Sequence, residues 1–383
     1  MAADIIAIFA GLLLFGHFVG LGLLTRNLRW LRWQPETRKK PLTDISVSVI
    51  VPARNEAEGI ELCLRSLLAQ THVNLQLIVV NDHSEDDTPD IIDRIAAEDP
   101  RMIVIHNPPL ESGWLGKHNA MQAALAHVES DLLVLTDADV EFEPTCISSA
   151  VSDLQARQLD LLSIYPQFQF VTFCETILLP IYLCLSSFLL SPAVEDPKSA
   201  HAMAVGAFIL LRRDRLNQIG GFASIRTKIL DDVAIARSFK KNGFTISLRS
   251  APDLMRVRFF KNNRHAFFGV SKHLLGIAQS CIWLAPLLAI GPLLVYGTAF
   301  FAVIHGIVQQ RFILAGIGIL MLLINYIGLL LTRPNYKFNA LKALAFPCLS
   351  ILFAASCLRA LYLFLCKGRF QWRGRDTDLK STR

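Results

Sequence analysis

Hydrophobic residues are distributed along this chain on three length scales. Residues Ile5 to Leu24 are apolar except for His17, close to the ~20 residues that a helix needs to cross a bilayer. Between about 45 and 270 the apolar runs shorten and alternate with stretches of helical spacing. Beyond 272 they lengthen again into blocks over roughly 277–304, 312–332 and 341–365, the second bracketed by Arg311 and Arg333. These shifts predict an anchor over 1–25, a folded domain over 26–272, a membrane domain of three or four helices over 273–366 and a basic tail over 367–383.

Within the middle region, Ile45 to Val51 reads as a strand stopped by Pro52, and Glu56 to Leu68 follows with apolar residues at helical spacing. Leu75 to Val80, Met102 to Ile105 and the run that begins at Leu132 read as further strands, with helical stretches over 91–97 and 118–128 between them. Strands alternating with helices predict an α/β fold: a Rossmann-like, mostly parallel sheet flanked by helices. Such sheets bind ligands beyond the carboxyl ends of their strands. Three of those ends carry polar clusters, namely Arg54-Asn55-Glu56, Asp82 through Thr88, and Asp137 with Asp139. Ile177 to Leu190, interrupted by Pro180, is apolar but short for a span. An interfacial or re-entrant piece over 176–194 and a buried core helix are the two readings it allows.

Composition sharpens the membrane assignment. At 52% hydrophobic and 18% charged, the chain is more apolar than a soluble protein of 383 residues, and the excess sits at its ends. The net charge of +6 comes from short basic runs beside apolar segments, which argues against nucleic acid as a partner. Arg26, Arg29, Arg32, Arg38, Lys39 and Lys40 all follow the first apolar segment. The positive-inside rule therefore places the chain from 26 onward in the cytoplasm, as in a multi-pass protein of a bacterial inner membrane, and Trp30 and Trp33 fit an interfacial belt. Three single crossings after 272 would put Arg369, Arg373 and Arg375 outside, against the same rule. Either one block is a hairpin or re-entrant, with Pro286 and Pro292 making the first the one to break and the tail returning to the cytoplasm, or the tail is an exception to the rule. Eight cysteines without a Cys-x-x-Cys predict buried free thiols, not a disulfide framework or a zinc site.

Asp is averse to strand interiors, so Asp137 and Asp139 mark a strand's end. On an extended chain the two carboxylates project to one side, and like charges that close suit half of a divalent-metal site completed by substrate oxygens. A helix cap in a polar loop is the other reading. Gly113-Trp114-Leu115-Gly116-Lys117 has the wrong glycine spacing for a P-loop, and no Gly-x-Gly turn follows the first strand. A lysine opening a helix can still neutralise a diphosphate. Asp231 and Asp232, at another helix start, read either as capping residues or as a general base beside a supporting acid.

Taken in order, Val51-Pro52-Ala53-Arg54-Asn55-Glu56, Asn81-Asp82-x-Ser84-x-Asp86-x-Thr88, Gly116-Lys117-x-Asn119-Ala120, Asp137-Ala138-Asp139, Gly220-Gly221-Phe222 and Asp231-Asp232 resemble the motifs of family-2 glycosyltransferases with a GT-A fold. One anchor before and several apolar segments after resemble the membrane members that glycosylate lipids, among them carotenoid-, hopanoid- and ceramide-type enzymes. The resemblance implies a metal-dependent, inverting transfer of a hexose from a nucleotide-sugar, with a UDP-sugar expected, to the hydroxyl of a membrane lipid. It implies that Pro52, Ala53, Arg54, Glu56 and Asp82 hold the nucleotide and that Lys117 contacts the diphosphate. It places Asp137 by the ribose and metal, and Asp139 on Mg²⁺ or Mn²⁺. Asp232 would be the general base, with Asp231 in place of the family's usual Glu, and Gly220, Gly221, Phe222, Arg258 and Arg264 would lie on the acceptor side.

The chain departs from the pattern after the base. Where polymer-forming and ceramide-type members carry Gln-x-x-Arg-Trp, Lys261-Asn262-Asn263-Arg264-His265 keeps only the arginine. That counts against a processive polysaccharide synthase and against a ceramide enzyme. Arg258 followed by Gly269-Val270-Ser271-Lys272 is nearer to the carotenoid and hopanoid type. A non-catalytic membrane scaffold conflicts with the presence of Asp139 and Asp232.

Overall fold

The computed structural model describes residues 2–33, 45–71, 73–258, 260, 262–264, 266–269, 284–336, 338–363, 365, 369–372 and 375–378. The chain forms two compact units, one from residues 31–169, 192–259 and 368–383, the other from residues 1–30, 170–191 and 260–367. Residues 170–191 thus leave the block expected over 26–272 and cluster with the apolar helices.

The first unit is built on a sheet whose apolar strands are buried on both faces, as a parallel sheet covered by helices requires. Strands β1 (Ser46–Ala53), β2 (Asn74–Asn81), β3 (Met102–His106) and β4 (Leu132–Leu135) alternate with helices α2 (Ile60–Leu68), α3 (Thr88–Glu98) and α4 (Gly116–Leu125). Further on come β5 (Val140–Phe142), α5 (Cys146–Ala156), β6 (Leu161–Tyr165), β7 (Gln167–Phe168), β8 (Ile209–Arg212), α7 (Arg213–Gln218), α8 (Asp231–Lys241), β9 (Ile246–Ser250) and β10 (Met255–Val257). The seven-stranded order is β3-β2-β1-β4-β8-β6-β9, and a small sheet β5-β10-β7 stands apart from it. From β1 the chain first builds outward through β2 and β3, then returns to add β4 on the other side. The switch point, where an open sheet leaves a crevice, therefore lies between the carboxyl ends of β1 and β4.

Two details shape that crevice. Strand β1 continues through Pro52 to Ala53, two residues past the expected stop. Pro52 is tolerated because β4 ends opposite Ile50, so the edge that lacks an N–H faces no ladder partner. Strand β8 runs antiparallel to both β4 and β6, so its entry, rather than its exit, reaches the rim formed by the other strands' carboxyl ends.

Trp33 does not belong to an interfacial belt. It is 8% exposed, its backbone N–H donates to Ser250 O at 3.2 Å, and it is packed within the sheet-bearing unit. Its indole is large and apolar enough to be held there once the chain has turned in at the buried Leu31.

The second unit contains α1 (Ala2–Leu31, all but its last residue), α6 (Phe173–Leu189), α9 (Leu284–Val308), α10 (Phe312–Tyr336) and α11 (Phe346–Tyr362). Among the described residues three helices are long and apolar enough to cross a membrane: Ile8–Leu31, Ile290–Val308 and Phe312–Tyr336. The expected break in the first C-terminal block is absent from α9, which passes through Pro292 unbroken. The start expected near 277 lies outside the described residues. The short helices are instead α6 and α11, each of 17 residues and about 26 Å long. Helices α9 and α10 meet at Gly318, where an added Cβ would lie 2.7 Å from Ala299 O, so only glycine lets the backbones come this close. Within the tail, Arg369–Trp372 and Arg375–Asp378 pair as an antiparallel hairpin.

Candidate active site

The rim at the switch point is assembled from loops that tie one another down. Asn55, His83 and Asn107, one just beyond each of β1, β2 and β3, have φ of 54°, 55° and 47°. These left-handed residues turn each strand sharply out of the sheet, a conformation that Asn and His tolerate better than most. Three successive N–H groups after β1 are then captured by the loop after β2. Asn55 N donates to Ser84 Oγ at 3.0 Å, Glu56 N to Thr88 Oγ1 at 2.8 Å, and Ala57 N to Asp86 Oδ2 at 3.1 Å. Asn55 Oδ1 accepts from Glu85 N in return. The Ser84-x-Asp86-x-Thr88 spacing thus zips two loops together.

Of the residues expected at the nucleotide, Arg54 is turned into this framework, donating to Asp82 O at 2.8 Å and His83 O at 2.9 Å. Ala53 and Asp82 are buried, and Asp82 N donates to Ala53 O at 2.8 Å, extending the β1–β2 ladder to the rim. Glu56 is buried beside them, whereas Pro52 is half-buried.

The charged centre lies on the β4 side. Lys117, second residue of α4, places Nζ 2.7 Å from Asp137 Oδ1 and 2.8 Å from Asp231 Oδ2. Burial works against its charge, but the two carboxylates outweigh burial and hold the ammonium above its ordinary range. Asp232, beside Asp231 in the first turn of α8, accepts two backbone N–H bonds: Gly206 to Oδ2 at 2.9 Å and Val233 to Oδ1 at 2.7 Å. Burial, then the adjacent Asp231 charge, push Asp232 up to about 7, against the downward pull of Lys117 and the two N–H donors.

Gly206 is the residue that sequence reasoning missed. A Cβ there would lie 3.3 Å from Asp137 Oδ2, 3.4 Å from Lys117 Nζ and 3.7 Å from Asp232 Oδ2. It reaches this position because β8 is reversed, and Thr136 Oγ1 donating to Ala207 O at 2.8 Å fastens the end of β4 to it. A glycine opening the apolar run Val205 to Leu211 was the available signal, since glycine beside a strand often marks close backbone approach.

Asp137 and Asp139 flank the turn between β4 and β5 and are both half-buried, with Cys63 Sγ within 3.6 Å of Asp137 O. Among the described residues no three His, Cys, Asp or Glu side chains cluster to hold a metal by themselves. Two hard carboxylates suit Mg²⁺ or Mn²⁺ only when ligand phosphates complete the shell, which fits an ion shared with a diphosphate.

The remaining expected residues separate. Gly220 and Gly221, with φ of 88° and 61°, bend a loop onto α4, where Leu115 N donates to Arg226 O at 3.0 Å. Phe222 is fully buried and packs in the core. Arg258 is exposed in the sheet-bearing unit, whereas Arg264 belongs to the unit of apolar helices.

Residues 48–233 match the family model described as glycosyl transferase family 2. A 4,4'-diaponeurosporenoate glycosyltransferase of Staphylococcus haemolyticus is 33% identical over 150 residues, 38% of this chain and 38% of that one. The enzyme of the same name from Staphylococcus aureus strain N315 is 23% identical over 248 residues, 63% of this chain and 64% of that one. The chain therefore spans less than two thirds of the length of these curated relatives. In three dimensions it is similar to a mannosyltransferase from Pyrobaculum calidifontis solved with GDP-Man and Mn²⁺, with a TM-score of 0.54, 18% identity and coverage of 94% of this chain and 99% of that one. That likeness shows a shared GT-A fold.

Proposed function

We propose that the chain, whose residues 48–233 match the glycosyl transferase family 2 model, moves a sugar from a nucleotide-sugar to an acceptor drawn from a membrane. The observation that carries this reading is the single lysine shared by Asp137 and Asp231. It joins a donor-facing carboxylate to the pair Asp231-Asp232 on one rim. A UDP-sugar donor, a lipid acceptor and a cytoplasmic catalytic face belong to the same proposal, supported by the apolar spans and by the carotenoid glycosyltransferases among the relatives.

In this reading Ala53, Glu56 and Asp82 line the nucleoside end and Lys117 faces the diphosphate. A divalent ion held by Asp139 and Asp137 together with the diphosphate would supply further charge neutralisation for the leaving group. Asp232 takes the proton from the acceptor hydroxyl as its oxygen bonds to the anomeric carbon on the face opposite the departing diphosphate, which inverts the centre. Its two N–H bonds fix the carboxylate, and its raised affinity for protons suits the task. Asp231 keeps Lys117 in place between the two halves.

Membranes containing the full chain, given Mn²⁺ or Mg²⁺ and labelled UDP- and GDP-sugars, are expected to yield label in the solvent-extractable lipid. Label confined to a large aqueous polymer would overturn the lipid acceptor, and no transfer from any donor would overturn the activity.

Two further results are expected. A base that must be unprotonated loses activity on acidification, so kcat/KM should rise about tenfold per pH unit to about 7 and level off above it. Initial-rate profiles check this, and a flat profile through that range would remove Asp232 as base. Gly206→Ala should cut turnover about tenfold, because its methyl forces Asp137 or Lys117 to yield by a few tenths of an ångström. Unchanged thermal unfolding beside that loss would place the effect at the site.

A further inference from the structure

The membrane unit carries a second cationic cluster. Residues 262–264 and 266–269 are tied to α6, through Cys174 N donating to Asn263 Oδ1 at 2.8 Å, and to α11, through Ser356 Oγ donating to Phe267 O at 3.2 Å. Between these ties two guanidinium groups from distant parts of the chain converge on one phenyl ring. Arg359 Cζ lies 4.3 Å from the Phe268 centroid and Arg264 Cζ 5.5 Å from it.

Each arginine is attracted by the ring's electron-rich face, yet a neutral ring supplies no counter-charge, and two cations gathered on it repel. Among the described residues neither Arg264 nor Arg359 has a carboxylate within ion-pairing distance, whereas many arginines of the catalytic unit do, such as Arg157 with Asp153 and Glu195. The segment that leads into α6 is apolar and open, with Val171 62% and Phe173 67% exposed, and Phe268 itself is 37% exposed. Paired forks call for a phosphate or similar oxyanion, and the exposed apolar side chains call for a hydrocarbon body attached to it.

We propose that Arg264 and Arg359, held together by Phe268, bind the headgroup phosphate of an anionic membrane phospholipid. A free phosphate would satisfy the guanidinium groups but leave Val171 and Phe173 in water. Membrane helices with basic residues at their ends attract anionic lipid generally, and the shared ring converts that diffuse attraction into a located site.

The test uses the full chain in nanodiscs of phosphatidylcholine containing a minor fraction of phosphatidylglycerol. Phosphatidylglycerol retained after transfer to neutral detergent is measured by native mass spectrometry. Arg264→Ala and Arg359→Ala are each expected to lower phosphatidylglycerol affinity about tenfold, and Phe268→Leu to lower it while keeping both charges. Arg29→Ala, at the end of α1, is the control for general surface charge. Since Arg359→Ala could disturb α11, the Arg264 and Phe268 variants must show the loss while eluting as the wild-type species. Equal loss in Arg29→Ala, or no loss in Arg264→Ala, would overturn the site. Displacement of the lipid by inorganic phosphate at equal concentration would overturn the lipid as its source.

Discussion

Asp232→Asn is expected to lower turnover by about 10² to 10⁴ while leaving the donor's KM nearly unchanged, the loss typical of removing a positioned base. The side chain keeps its shape, but an amide offers only one acceptor where two N–H groups, from Gly206 and Val233, now donate to two oxygens. One donor is left facing an NH₂ group, which costs about 1–3 kcal/mol where buried. Thermal unfolding should therefore fall modestly beside the much larger kinetic loss. Single-turnover rates with saturating donor separate the two effects. A change in turnover smaller than tenfold would mean that another group takes the acceptor proton.

The second large effect is expected of Lys117→Met, which should reduce kcat/KM by about 10² to 10³, the scale of losing one preorganised charge at a developing anion. Here donor affinity and rate fall together, because in the proposed mechanism the same ammonium faces the diphosphate before and during bond breaking. Its removal also leaves Asp137 and Asp231 without the cation that separates them. Lys117→Arg should not restore activity, because a planar fork is wider than the ammonium that sits 2.7 Å from Asp137 Oδ1 and 2.8 Å from Asp231 Oδ2. Equilibrium binding of donor, measured apart from turnover, checks the division. Normal donor binding in Lys117→Met would move the lysine out of the donor site.

Much of this arrangement was legible in the chain. Apolar runs of strand length alternating with helical spacing gave the parallel core from β1 to β4, because burial on both faces leaves that signature in sequence. The rim clusters followed from where those runs end. Residues that act through their backbone were not legible. Gly206 contributes an N–H and an absence of side chain, and its value depends on the reversal of β8, which only pairing with β4 and β6 reveals. Arg54 illustrates the opposite failure. A cation at a strand end was expected at the nucleotide, yet its Nη1 donates to two carbonyls of the neighbouring loop and its Nη2 lies 3.4 Å from Glu85. Proline misled twice, at Pro52 and at Pro292. In the first case the strand alongside had ended, and in the second an apolar helix tolerated the missing bond.

The departure of residues 170–191 from the sheet-bearing unit has a practical side. Trimming both ends of the chain to free a soluble enzyme would leave α6 behind, with Leu179 and Leu183 stripped of their cover and Phe173 and Phe188 already bare. Such a fragment should self-associate in water. Recombinant production of a dispersed catalytic piece therefore calls for an internal excision, joining Gln169 to Pro192 through a flexible linker, besides removal of the terminal helices.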